Sequence, residues 1–89
     1  MEEELALEQI ATEGTQVRAA LSEEVIREYA QALAEGVTFP PVEVYYDNAR
    51  FWLADGFHRL EAARQAGKEH IAAIVHDGGQ RDAVLHAVG

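Results

Sequence analysis

The residues best suited to bind a ligand lie together in the sequence Asp55-Gly56-Phe57-His58-Arg59. The pattern predicts that a strand ends here and enters a helix through Gly56. Such a junction leaves backbone N–H groups unpaired at the positive end of the helix dipole, where they bind anions. His58 and Arg59 lie in the first turn, where a cation opposes the dipole, so their placement favours a negatively charged ligand. In the alternative interpretation, Asp55 only caps the helix, Gly56 only makes the turn and Arg59 is a solvated surface residue.

Each charged side chain at this junction has more than one interpretation. The fork of N–H groups on Arg59 matches two phosphate oxygens, so we predict a phosphate contact for it. His58 either binds phosphate or acts as an acid–base group, or it is a packed histidine bonded to backbone. Asp55 would compete with phosphate as an N-cap, or it would help to hold a bound Mg²⁺ ion. Of these two roles for Asp55 we favour the cap.

The four histidines do not have the spacing of a metal site. They are His58, His70, His76 and His86, and no two of them stand four residues apart as in a helical zinc site. No third ligand stands out beside any pair. The chain also has no cysteine, which excludes a cysteine-based zinc site and thiolate chemistry. We therefore predict no metal bound by the protein alone.

The charge of the chain is negative overall but unevenly distributed. Its net charge of −9 argues against a broad, non-specific grip on phosphate backbones. Residues 1–30 carry eight carboxylates against two arginines, whereas residues 50–68 carry four basic residues against Asp55 and Glu61. The basic stretch therefore coincides with the strand–helix junction, and the acidic residues elsewhere form a solvated face. Because the sequence contains neither a long apolar run nor a signal peptide, we predict a cytoplasmic protein without a membrane partner.

A hairpin and a helix are predicted to position the junction. Residues 42–46 and 51–54 have the pattern of two strands joined by a turn at Asp47. The helix after Gly56 runs to Gly67, where a residue in the left-handed conformation commonly ends a helix.

Other elements are predicted on both sides of this hairpin. Ser22 is a good N-cap for an amphipathic helix that stops near Gly36. Residues 71–75 form a short apolar run suited to a buried strand. Residues 2–10 fit either a short alternating edge strand, with Leu5, Leu7 and Ile10 as its apolar residues, or a frayed helix, and we favour the strand. A last helix spans residues 80–88, with Val84, Leu85 and Val88 on its apolar face.

The predicted order of elements is strand, helix, two strands, helix, strand, helix. It indicates a small α/β (α+β) domain, residues 1–89, with one mixed β-sheet and helices packed against it. The apolar face of the last helix is barely built, so we expect the chain to be part of a longer protein.

The order of short motifs resembles the N-terminal domain of ParB-type proteins, in the ParB/sulfiredoxin superfamily. The resemblance rests on Gln16-x-Arg18, the Ser22–Gly36 helix, Pro41-x-x-Val44, Asp55-Gly56-x-His58-Arg59 and Ala66-Gly67. It covers nearly the whole chain, and Gly56-x-His58-Arg59 is its most specific element.

The resemblance implies a nucleotide site, for CTP as in partition ParB proteins or for ATP as in sulfiredoxins, with Mg²⁺. The implied nucleotide-binding residues are Gln16, Arg18, Asp55, Gly56, Phe57, His58 and Arg59. It also implies that a DNA-binding region lies outside this chain, and that the chain acts in DNA partition or regulation.

The chain departs from both branches of the superfamily. Partition ParB proteins carry Gly-Glu-Arg-Arg-x-Arg at this motif, and here Phe57, His58 and Glu61 replace the glutamate, the first arginine and the last arginine. Phe57 cannot orient an attacking water, which speaks against hydrolysis of the partition type. Sulfiredoxins carry Gly-Cys-His-Arg, and Phe57 replaces their catalytic cysteine, so sulfinic acid reduction is excluded.

Three hypotheses follow. In the first, the chain is a nucleotide-binding module of a ParB-like protein. In the second, it is an enzyme on the same fold, an NTPase, kinase or nuclease, with His58 as the acid and Glu61 or Asp55 as the base. In the third, it is a homodimerisation module that binds no ligand.

Overall fold

The computed structural model describes residues 1–15 and 21–88. The strands are β1 (Glu2–Ala6), β2 (Ile10–Ala11), β3 (Val42–Tyr46), β4 (Phe51–Asp55) and β5 (His70–Asp77). The helices are α1 (Glu23–Ala34), α2 (Phe57–Gln65) and α3 (Gln80–Val88), and a 3₁₀ turn covers Leu7–Gln9. Every helix in this part of the chain falls short of the length and apolarity needed to cross a membrane.

The five strands form one mixed sheet in the order β1-β5-β3-β4-β2. β3 and β4 pair antiparallel, as the predicted hairpin requires, and β1 pairs antiparallel with β5. The pairs β3–β5 and β2–β4 are parallel. The predicted α/β (α+β) domain with a small mixed sheet and packed helices is therefore confirmed.

The turn of the hairpin is built around Asp47. Its Oδ1 atom accepts hydrogen bonds from the N–H groups of Ala49 at 2.9 Å and Arg50 at 2.7 Å. Its Oδ2 atom accepts one from Nε1 of Trp52 at 3.0 Å. These bonds favour the charged carboxylate, and the bond from Trp52 is the largest cause that lowers the pKa of Asp47 below its ordinary value of 3.8.

The N-terminal segment differs from the single edge strand that the sequence predicts. It forms two strands, β1 and β2, separated only by the 3₁₀ turn. The turn is fixed by a bond from the N–H of Ala6 to Oε1 of Gln9, and by a bond from the N–H of Leu7 to the carbonyl of Glu69. Because β1 and β2 lie at opposite ends of the strand order, so short a connection requires the sheet to curl until its ends approach each other.

One face of the sheet carries the larger core. Val42, Val44 and Leu53 alternate along β3 and β4 and are fully buried. They pack with Leu60 and Ala63 of α2, which joins α2 to the centre of the sheet. The start of α2, where the candidate site lies, is therefore held by a rigid part of the fold.

The other face is covered by α3, in an orientation that the sequence did not predict. Ala83 is fully buried and packs in a cluster with Trp52 of β4. The predicted apolar face of Val84, Leu85 and Val88 is wrong, because Leu85 is 56% exposed and Val88 is 58% exposed. The small side chain of Ala83 lets the helix approach the sheet closely, which apolar periodicity alone did not reveal.

The prediction for α1 is confirmed at both ends. Ser22 is its N-cap, and its Oγ atom accepts a bond from the N–H of Val25 at 3.2 Å. The helix ends at Ala34, and Gly36 follows with φ 93°.

Candidate functional site

The turn between β4 and α2 has the backbone geometry predicted for an anion site. Gly56 is the N-cap residue of α2, with φ 98° and ψ 32°, a left-handed conformation that glycine adopts readily. No side chain in the described part of the chain caps this end. The first backbone acceptor used by the helix is the carbonyl of Gly56, which receives the N–H of Leu60 at 2.9 Å. The N–H groups of the three residues in between are therefore placed to receive an anion.

The position of Gly56 leaves no room for a side chain. A Cβ atom there would lie 2.6 Å from Cγ1 of Val42 and 3.1 Å from Nη2 of Arg59. Both the left-handed conformation and the close approach of β3 therefore require glycine at this turn.

The side chain of Arg59 lies across the turn. Its Nη1 atom donates to the carbonyls of Pro40 and Pro41, both at 2.9 Å, and its Nη2 atom donates to Oδ2 of Asp55 at 3.1 Å. These bonds use three of the five N–H donors of a guanidinium group. Arg59 is thus oriented before any ligand arrives, and its position next to Gly56 keeps its positive charge at the turn.

Asp55 does not cap α2, which corrects the role that we favoured from the sequence. It is the last residue of β4, and Gly56 takes the N-cap position instead. The carboxylate of Asp55 turns to Arg59, four residues later, and its side chain is 56% exposed. Because the left-handed Gly56 follows it, Asp55 lies one residue too early to reach the first N–H groups of the helix as an N-cap does.

His58 connects the starts of two helices. Its Nε2 atom accepts a hydrogen bond from the N–H of Ser22 at 3.0 Å. Ser22 is the N-cap of α1, and His58 lies in the first turn of α2, so the positive ends of both helix dipoles lie close together. The contact matches the predicted histidine bonded to backbone, and it also brings two helix N-termini to the candidate site.

Two other predicted residues lie away from the turn. The ring of Phe57 packs against the larger core, so this residue offers the site its backbone N–H rather than its side chain. Glu61, a candidate base, forms an ion pair with Arg64 on the next turn of α2. Gln16 and Arg18, the other predicted nucleotide-binding residues, lie outside the described residues.

Arg59 also lines a groove whose wall includes residues beyond the end of α2. The groove has a volume of about 300 Å³, and Lys68 and His70 contribute further basic groups to its wall. An anion could therefore meet Arg59 from two directions, from the Gly56 turn or from this groove. Lys68 distinguishes binding in the groove from binding at the Gly56 turn, because it lines the groove and lies beyond the far end of α2.

A second group of ligating side chains, which the sequence analysis did not identify, lies on the face that α3 covers. Glu43, His76 and His86, which we call the two-histidine cluster, come together from β3, β5 and α3. Their separations of 33 and 10 residues follow no local pattern. The parallel pairing of β3 with β5, which sets Tyr45 opposite His76, brings Glu43 and His76 together, and the packing of α3 on this face adds His86.

A family model and a curated relative both relate this chain to ParB proteins. A model of the ParB N-terminal domain matches residues 2–89. The probable chromosome-partitioning protein ParB of Helicobacter pylori (strain ATCC 700392 / 26695) is 35% identical over 74 residues, which make up 83% of this chain and 26% of that protein. The chain thus spans about a quarter of the length of this curated relative.

Two solved structures are similar to the fold over nearly the whole chain. The C-terminally truncated chromosome-partitioning protein ParB from Caulobacter crescentus, complexed with CTP-gamma-S, gives a TM-score of 0.82 at 18% identity, covering 99% of this chain and 51% of that one. Sulfiredoxin from Arabidopsis thaliana gives a TM-score of 0.79 at 22% identity, covering 97% of this chain and 96% of that one.

Proposed function

This chain belongs to the ParB N-terminal domain family, as its resemblance predicted, and from that membership we propose that it is the nucleotide-binding module of a ParB-like DNA partition or regulatory protein. The nucleotide is CTP or ATP, with its triphosphate at the start of α2. The ParB structure from Caulobacter crescentus, which has this fold, is a complex with CTP-gamma-S, and this favours CTP.

One observation carries the proposal: the start of α2 has a glycine N-cap and no side-chain cap in the described part of the chain. A serine or aspartate cap would occupy one of the N–H groups at this end with its own side-chain oxygen. Instead, the backbone N–H groups of Phe57, His58 and Arg59 are left for a ligand, at the positive end of the helix dipole.

The side chains around the turn give the triphosphate its further contacts. Arg59 brings a guanidinium group that is already oriented by Pro40 and Pro41, on a side chain that is only 19% exposed. A phosphate oxygen would share or replace the contact of Arg59 with Asp55. A Mg²⁺ ion bound with the nucleotide would draw the Asp55 carboxylate to itself, because Mg²⁺ prefers carboxylate and phosphate oxygens. Gln16 and Arg18 complete the site in this proposal.

The proposal also covers the chemistry and the partners. Phe57 has no group that orients an attacking water, so the module binds nucleotide without hydrolysis of the partition type. DNA is bound by regions outside this chain, in the cytoplasm, and two copies of the module form a homodimer. The chain then acts as a switch whose state is set by the nucleotide.

Calorimetric titration with CTP, ATP, GTP and UTP in the presence of Mg²⁺ tests the proposal. We expect at least one nucleotide to bind below millimolar concentration, and Arg59→Ala to weaken that binding by at least about tenfold, since a hydrogen bond to a charged group contributes about 1.5–3 kcal/mol. Lys68→Ala is the matched control, because Lys68 lines the groove but lies away from the Gly56 turn.

A second measurement does not depend on the folding of a variant. In ¹⁵N-resolved NMR spectra of the parent chain, nucleotide should shift the amide signals of residues 56–59 most strongly. The proposal fails if no nucleotide binds below millimolar, if Arg59→Ala binds as tightly as the parent, or if Lys68→Ala loses as much affinity as Arg59→Ala. The last result would place the nucleotide in the groove.

A further inference from the structure

The two-histidine cluster joins three elements that are distant in the sequence. Oε1 of Glu43 on β3 lies 2.7 Å from Nε2 of His76 on β5. Oε2 of the same carboxylate lies 4.0 Å from Nε2 of His86 on α3. One ligand atom from each of the three residues lies within 4.8 Å of the other two. The carboxylate thus stands between two imidazole rings.

Tyr45 fixes the rings of both histidines. Its hydroxyl group lies 3.2 Å from Nδ1 of His86. Its ring stacks on His76 with the centroids 4.9 Å apart. A hydrogen bond at Nδ1 orients an imidazole and leaves Nε2 as the ligand atom, which is the arrangement that supports metal-bound histidines in proteins. In this orientation Nε2 of His86 faces the carboxylate of Glu43.

The cluster can be reached by an ion from solution. The side chains of His76, His86 and Glu43 are 36%, 29% and 28% exposed, so each is half-buried and none is sealed off. The net charge of −9 raises the local concentration of cations around the chain.

We propose that Glu43, His76 and His86 bind a divalent transition metal of the Zn²⁺ class. Two imidazole nitrogens and one carboxylate oxygen are a ligand set that Zn²⁺ accepts, with ligand distances of about 2.0–2.2 Å and water in the fourth position. Tetrahedral geometry with these bond lengths separates the ligand atoms by about 3.4 Å, so the present separations require side-chain shifts of about 1 Å. This proposal differs from the expectation of no protein-bound metal, which rested on histidine spacing along the chain and on the lack of an evident third ligand.

The metal would hold α3 to the sheet. Ala83 is the only residue of α3 that is buried within the described part of the chain, so little side-chain burial holds the helix to the sheet. His86 lies in the last turn of α3, and its metal bond would tie that end of the helix to β3 and β5. Bound metal therefore stabilises the chain, because it binds only where the three elements have come together.

Calorimetric titration of the untagged chain with ZnCl₂ tests this proposal. We expect one Zn²⁺ ion per chain, and each of His76→Gln and His86→Gln should weaken binding by at least about tenfold. Tyr45→Phe should weaken binding by about tenfold, because outer partners of metal-bound histidines contribute a factor of about 10–100. The matched control is His70→Gln, which removes an exposed histidine at the start of β5 and should bind within about twofold of the parent.

A measurement on the parent chain covers the case in which a variant does not fold. Zn²⁺ should shift the ring proton signals of His76 and His86 and leave those of His58 and His70 unchanged, and Co²⁺ should give the visible absorption of a tetrahedral complex. The proposal is overturned if Zn²⁺ at millimolar concentration binds nowhere, if the signals of His58 or His70 shift instead, or if His70→Gln loses as much affinity as the cluster variants. No nucleotide is present in these experiments, so their outcome does not depend on the site at Gly56.

Discussion

Nη2 of Arg59 donates to Oδ2 of Asp55 at 3.1 Å, so the residue that we propose as the main phosphate contact is paired with a carboxylate. Asp55 is half-exposed, and an exposed ion pair contributes about 0–1 kcal/mol. The carbonyls of Pro40 and Pro41 take the other two donors that Arg59 uses. In the proposed site, a triphosphate would therefore meet an arginine that is held in place and whose weak pairing with Asp55 it would replace.

The first prediction concerns this exchange. Asp55→Asn should strengthen the binding of CTP or ATP measured without Mg²⁺ by up to about fivefold, because a carboxylate that repels the triphosphate and occupies Arg59 is removed. With Mg²⁺ present the gain should shrink or reverse, since the ion draws on the same carboxylate. Calorimetry in EDTA and in MgCl₂ measures both values. Weaker binding of Asp55→Asn in EDTA would contradict the prediction.

The second prediction concerns the space at the turn. Gly56→Ala should lower the free energy of unfolding by about 2 kcal/mol or more, because it combines a left-handed alanine with a contact 2.6 Å from Val42. Gly67→Ala is the matched control, since Gly67 has φ 76° but a Cβ atom added there would meet no neighbour within 4 Å among the described residues. Urea denaturation of the two variants separates the clash with Val42 from the backbone strain. Equal losses in the two variants would show that the close approach of β3 contributes nothing.

The third prediction concerns the orientation of α3. Ala83→Leu should lower the free energy of unfolding by about 1–3 kcal/mol, because the larger side chain does not fit against Trp52. Leu85→Ala, on the side that the sequence predicts to be apolar, should change it by less than about 0.5 kcal/mol. Thermal unfolding of both variants checks the difference, which corresponds to roughly 4–8 °C per kcal/mol in a domain of this size. The reverse order of effects would favour the face predicted from the sequence.

The fourth prediction concerns the pH dependence of the hairpin. The pKa of Asp47 is below its ordinary value of 3.8 in the folded chain, so the charged carboxylate stabilises the fold above pH 3.8 and this stabilisation is lost as the pH falls through the folded pKa. The variant Asp47→Asn has no carboxylate and therefore lacks this pH-dependent stabilisation. The difference in free energy of unfolding between parent and variant should therefore be larger near neutral pH than in acid, as measured by urea denaturation. A difference that is the same at both pH values would show that the charge of Asp47 does not matter.

The sequence predicts those parts of the fold that local chemistry decides. Ser22 caps α1 because a serine hydroxyl before a helical run accepts a backbone N–H, and the glycines after α1 and α2 take the left-handed conformation. Asp47 turns the hairpin for a similarly local reason. Gly56 was also predicted at the turn of the candidate site, and there the geometry agrees.

The features that the sequence did not predict depend on contacts between distant elements. Asp55 was expected to cap α2, but the left-handed Gly56 takes the N-cap position, and Arg59, which Pro40 and Pro41 anchor, pairs with the carboxylate instead. Ala83 is buried because α3 packs on the sheet through this residue. The sequence pattern instead favoured the face with the larger apolar side chains, Leu85 and Val88. The two-histidine cluster needs the register between β3 and β5, which no spacing along the chain encodes.

The three consecutive glutamates of β1 follow from its place at one end of the strand order. Glu2, Glu3 and Glu4 are all exposed, on a strand whose outer backbone groups pair with no other strand in the described part of the chain. Charged side chains along an open strand prevent a second sheet from adding to it, since two such strands would repel each other. The three glutamates therefore disfavour direct pairing between the β1 strands of two copies of this domain.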